Sequence, residues 1–170
     1  MAGTTTNNGW TYPTSTDYVK DGATAIQTLA TGIDTSVGTG LKAWTTWAPT
    51  LSSGWLNGNG TWDANYAQVG KIVVVNAVFT IGSTTTKGTT LQVSLPVTAA
   101  DTVGLVGTAY ANSGGSTYQL ANLIQSTTTL RLYAINAAGT YSAIVGITSA
   151  VPATWATGDV IRFQCVYEAA

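Results

Sequence analysis

Trp55 and Trp62 flank the turn LNGNGT in a 170-residue chain that contains no histidine. An aromatic ring held at a loop stacks on the C–H face of a sugar, which makes both residues candidate glycan-binding groups. Tyr118, beside the Gly-rich loop at residues 112–116, is a third candidate of the same kind. The competing reading of all three is burial, because most large aromatics of a β-sandwich lie in its core. Asp63, next to Trp62, is the one carboxylate worth testing for glycoside chemistry. Hydrolysis of a glycosidic bond needs two acids roughly 5–10 Å apart. Asp101 and Asp159 stand where turns want an Asp, and Glu168 ends the last expected strand. No catalytic residue is assigned. Asp63→Asn is the substitution that should abolish polysaccharide cleavage if Asp63 were catalytic.

Without histidine, Ser-His-Asp and Cys-His mechanisms and the commonest metal ligand are excluded. The single Cys165 cannot form an internal disulfide or a cysteine-type zinc site, and it lies in the alternating run VIRFQCVY as a buried strand thiol. No D-x-D-x-D-G calcium loop occurs, so neither metal nor cofactor is expected. Asn59-Gly60-Thr61 fits a glycosylation acceptor, but its turn chemistry is the reading adopted. Charged residues make up 8% of the chain against 45% hydrophobic, with a net charge of -1. That composition supports a proper core beneath a neutral Thr/Ser/Asn/Gly surface and gives no basic footprint for nucleic acid. So few charges protect a free monomer poorly from association, which favours life inside a larger assembly. Met1 is followed by AGTTTNNGW, without the features of a secretory leader, and no apolar stretch is long enough to span a bilayer. The expected site of synthesis is therefore the cytoplasm.

Three segments must position these groups. Residues 1–16 read as an extended arm carrying Trp10 and Tyr12, either loose or docking into a neighbouring protein. Residues 17–40 read as a short helix capped by Thr16 or Asp17 and ended by Gly38-Thr39-Gly40. Val19, Ile26 and Ile33 recur every seven residues, with Leu29 at the alternate position, which predicts an oligomer seam. Two heptads are too few to hold copies together unaided, and the pattern fixes no copy number. The other reading of the stripe is a helix packed on its own β-domain.

Residues 41–170 read as an all-β, antiparallel sandwich of jelly-roll character. Strands are predicted over 44–51, 62–69, 72–81, 90–95, 103–111, 118–124, 129–135, 141–148 and 159–167, separated by Gly/Asn turns. Val73-Val74-Val75 predicts a strand covered on both faces, its second face covered by the fold or by another copy. LPVTAADTVG and VPATWATGDV form a weak echo, with Pro96 and Pro152 after a strand and Asp101 and Asp159 before the next.

The segments TDYVKDGATAIQTLATGIDTSVGTG, AWTTWAPTLSSGW, NGNGTWDANYAQVGKIV, FTIGSTTTKG, LPVTAA and WATGDVIRFQCVYEAA together resemble phage tail-fibre and minor tail proteins, most closely those of actinobacteriophage-like viruses. The resemblance runs from about Tyr12 to Ala170 and rests on the ordered set W-T-x-W-x-P-T, Y-x-Q-x-G-K and W-A-x-G-D. It implies a virion structural protein, usually a homotrimer, with an N-terminal arm on other virion proteins and a β-sandwich that binds the host surface. It also implies structural roles for Trp44, Trp47, Pro49, Tyr66, Gly70 and Lys71, and no catalytic motif travels with it. Host-surface glycan is the ligand class expected from it. An architectural or decorating protein that touches only virion proteins is the alternative, and a polysaccharide depolymerase a remote one.

Overall fold

A computed structural model describes residues 3–40, 44–102 and 104–170, in two compact units of residues 1–42 and 43–170. Residues 41–43, the expected start of the β body, and Val103, the expected start of one strand, lie outside the described residues.

The first unit is more folded than an extended arm. Strands β1 (Gly3–Thr4) and β2 (Thr11–Tyr12) pair antiparallel, and the Tyr12 ring crosses the Gly3 Cα. Trp10 lies against Gly32 of helix α1 (Gly22–Gly40) and donates from Nε1 to Ser36 Oγ at 2.9 Å. The short arm thus hydrogen-bonds to itself and seats its indole on a helix position where no Cβ stands in the way. The helical segment opens with a 3-10 turn, Val19–Asp21, whose N-cap is Tyr18 without a side-chain cap. Thr16 and Asp17, expected as caps, do not cap it. Asp17 instead accepts from the Thr14 N–H at 2.7 Å, closing a turn just ahead of the helix.

The second unit is all-β and antiparallel, as the alternation predicts. Its strands are β3 (Thr45–Thr46), β4 (Leu51–Ser52), β5 (Thr61–Val69), β6 (Ile72–Thr80), β7 (Gln92–Ser94), β8 (Leu105–Ser113), β9 (Ser116–Ser126), β10 (Thr129–Asn136), β11 (Ala143–Gly146) and β12 (Val160–Glu168). They form one ten-stranded sheet in the order β3-β5-β6-β12-β8-β9-β10-β7-β4, with β11 also on β10. The sheet curls into a sandwich-like half-barrel around its core. The segment predicted as one strand over 44–51 explains the curl. It pairs with β5 at Thr45–Thr46 and with β7 at Leu51–Ser52, the two ends of the sheet. Five residues reach at most about 17 Å, so the two edges must approach that closely. Pro49, which cannot donate to a ladder, is buried in this strap, and Trp47 packs on the core beside it.

The core lies on the inner face. In β12, Ile161, Phe163, Cys165 and Tyr167 point inward, and in β6, Val73, Val75, Ala77 and Phe79 do, in register with them. Val74 points out and stays part-exposed, so the β body itself does not bury the second face of this strand. Burial pushes the Cys165 thiol up to about 12. Tyr167 is likewise raised by burial, and its hydroxyl donates to the Val97 carbonyl at 2.7 Å. A raised acid favours the folded state while neutral. The Cys165 contribution is complete below its ordinary value of 9.0 and is lost as pH climbs towards about 12. We therefore expect a thiol reagent at neutral pH to leave the native chain unmodified and to label it once at Cys165 after denaturation, as mass spectrometry would show.

Strand β8 carries a register shift between Leu105 and Gly107. Opposite it, buried Asn122 reaches across and donates to the carbonyls of Gln164 at 2.9 Å and Thr108 at 3.4 Å. A Cβ on Gly107 would land on the Gln164 carbonyl and crowd the Cys165 Cα, both backbone of the central strand. Backbone cannot swing aside as a side-chain tip can. Gly107→Ala is expected to cost about 1–3 kcal/mol of stability, read as a lower denaturant midpoint.

The two echoing loops are not equivalent. Asp159 is buried and takes Ser113 Oγ at 2.7 Å and the Ala156 N–H at 2.8 Å, whereas exposed Asp101, among the described residues, takes only its neighbour Thr102.

Candidate functional site

On helix α1, Ile26, Ile33 and Val37 line up at about 100° per residue and stay exposed, Ile26 at 61% and Ile33 at 38%. Val19 is 97% exposed but sits in the 3-10 turn ahead of the α-helix. Leu29 is half-buried, on the flank towards Gly32 and Ser36 where Trp10 rests. The arm therefore shades one flank of the helix and leaves the apolar stripe bare. Within its own unit the helix buries none of its described side chains below the surface.

Trp55 does not stand at an exposed loop. Its exposure is 0%, and it meets Trp155 edge-on with centroids 6.4 Å apart. A ring wholly inside the sheet has no face left for a sugar, so the glycan candidate at Trp55 is withdrawn. Trp62 is half-buried, stacked on Phe79 at 4.6 Å and edge-on to Phe163, with Nε1 donating to Asn57 Oδ1 at 3.3 Å. Tyr118 is half-buried against the same core, on the inner face opposite Ala111. The alternation explains both placements: Trp62 shares the inward phase of Ala64 and Tyr118 that of Leu120. The flanking turn is equally occupied. Asn59 Oδ1 accepts from the Thr84 N–H and hydroxyl, and Thr85 Oγ1 donates to the Asn57 carbonyl at 2.7 Å, fastening LNGNGT to STTT.

The outer face of β5, β6, β12 and β8 carries a different set. Cross-strand register runs Asp63–Val78–Arg162–Tyr110 in one row and Asn65–Asn76–Gln164–Thr108 in the next. Asp63, Asn76, Thr108, Tyr110, Arg162 and Gln164 line a depression of about 350 Å³. A second one, about 360 Å³, adjoins it through Asn76, Thr108 and Gln164 and is lined by Trp44, Val74, Val106 and Val166. Trp44 is 55% exposed and Tyr110 42%. Asp63 Oδ1 accepts from Asn65 Nδ2 at 3.1 Å. Among the described residues, the side chains of Asn76, Thr108, Tyr110, Arg162 and Gln164 make no hydrogen bond.

Asp63 shares this face with Glu168, but Glu168 lies six residues beyond Arg162 on β12. At about 3.3 Å per residue the two carboxylates are about 20 Å apart, twice the span that a glycosidase pair bridges. Among the described residues no group of three or more metal-ligating side chains occurs. Reading alternation from sequence marks the six groove residues only as outward-facing. Their convergence needs the strand order, which inserts the last strand between β6 and β8. Compared with protein-family models, with curated proteins and with solved structures, the chain matches none.

Proposed function

We propose that this chain is a structural protein of a phage-type virion, assembled as a homotrimer through its helical segment and displaying its β bodies to the host surface. The observation that carries this reading is the bare stripe of Ile26, Ile33 and Val37 on a helix none of whose described side chains is fully buried within its own unit. A helix of this length with internal glycines is marginal in water, and copies packed on that stripe supply the burial it lacks. In the same reading the arm contacts other virion proteins, with half-exposed Tyr12 offered on its hairpin. The β body recognises host-surface glycan and performs no catalysis.

A second reading is architectural, with the β body touching only virion proteins. The exposed aliphatics Ile72, Val74, Leu105 and Val166 on the outer sheet face favour it, since contiguous apolar surface marks protein contacts. Mass spectrometry of purified particles, with antibody labelling in electron micrographs, tests the virion assignment. The chain is expected among the particle proteins, and particles that neither contain it nor take the antibody contradict the proposal. Blocking of adsorption by the purified chain separates host attachment from the architectural reading.

A further inference from the structure

Resting on the attachment reading, we infer that the outer face of β5, β6, β12 and β8 is a saccharide-binding groove, with Tyr110, Asp63, Asn76, Thr108, Gln164 and Arg162 as its contacts. This site replaces the rings that the fold has turned inward. Four adjacent strands present these side chains at successive pairing positions, about 4.8 Å apart across the sheet. Carboxamides, a threonine hydroxyl and a phenol each donate and accept, as do sugar hydroxyls, and among the described residues none of these four side chains is spent on the protein. Asp63 adds an acceptor and Arg162 a fork of donors, one of each sign.

The ligand class follows from that inventory. One cation matched by one anion, on a chain of net charge -1, gives no hold on a phosphate backbone. A second protein pressed on the polar half would have to desolvate Asp63 and Arg162, which Val78 separates and which form no ion pair with each other. A hydroxyl-rich, weakly charged oligosaccharide satisfies both groups without burying them dry. The depression lies at the small end of ligand sites, roughly 300–1,000 Å³, which suits one or two sugar units. The adjoining apolar half extends the track, and exposed Trp44 offers the C–H face of a further unit its ring.

The test is the full chain on a printed array of neutral, N-acetylamino and uronic-acid oligosaccharides, followed by titration with those that bind. Tyr110→Ala and Arg162→Gln are each expected to weaken binding about tenfold with an unchanged thermal transition. Tyr118→Phe should leave binding as it was. Binding that survives both groove substitutions places the sugar elsewhere and overturns this site while leaving glycan attachment standing. A wild-type chain that binds no oligosaccharide at millimolar concentration overturns both. Groove variants with an altered sedimenting mass make the face a contact between copies and likewise overturn the inference.

Discussion

The full chain carrying Ile26→Asp and Ile33→Asp is expected to sediment as a single 17.5 kDa chain while keeping its β-sheet circular dichroism. Each isoleucine buried in a seam contributes about 1.5–3 kcal/mol, so two per copy supply most of what a short helix can add to association. Substituting Asp removes that gain and sets like charges facing one another across the seam, where desolvation adds to the penalty. Neither change harms the separate chain, because both positions are exposed there and the β-body core lies in the other unit. A monomer with an intact sheet is thus the specific signature of an interface mutant. Trimers that persist in the double variant place the association on the β body and reduce the helix to a spacer.

Trp55→Ala is expected to lower stability by about 3–5 kcal/mol, a large part of the roughly 5–15 kcal/mol that holds a domain folded. The ring is wholly buried, packed against Trp155 from a position 100 residues away in sequence, and joins the cluster that includes Leu91 and Ile147. Among the described residues its Nε1 finds no hydrogen-bond partner, so deletion also relieves a desolvated donor and draws the cost towards the lower end. Trp44→Ala, on the exposed face, is expected to shift the denaturant midpoint by no more than about 0.5 kcal/mol equivalent. Equal midpoints for the two variants would contradict the placement of Trp55.

Much of this architecture is legible in the residues. The alternation in VIRFQCVYE and IVVVNAVFT gives strand type, inward face and approximate ends, because a half-buried strand has a period of two. Gly114-Gly115, both at positive φ, marks a two-residue hairpin and lets β8 run to Ser113. Segment 44–51 misleads because its aromatic and Thr content is strand-like, while Pro49 and the need to close the half-barrel make it a strap. Trp55 and Trp62 misled for another reason. A tryptophan serves equally in a core and on a binding surface, and a partner such as Trp155 is invisible until the sheet closes. The helix is legible from the spacing of Ile26, Leu29 and Ile33, although Val19 falls in the 3-10 turn ahead of it, whereas the seating of Trp10 on Gly32 depends on a three-dimensional fold-back that no local pattern encodes.

In the proposed assembly, copies of this chain gather through the helix. Sedimentation equilibrium of the purified wild-type chain, across a concentration series at physiological salt, tests it most directly. One species of three times the 17.5 kDa chain mass is expected. A species of one chain mass at every concentration, with the helix formed, contradicts it.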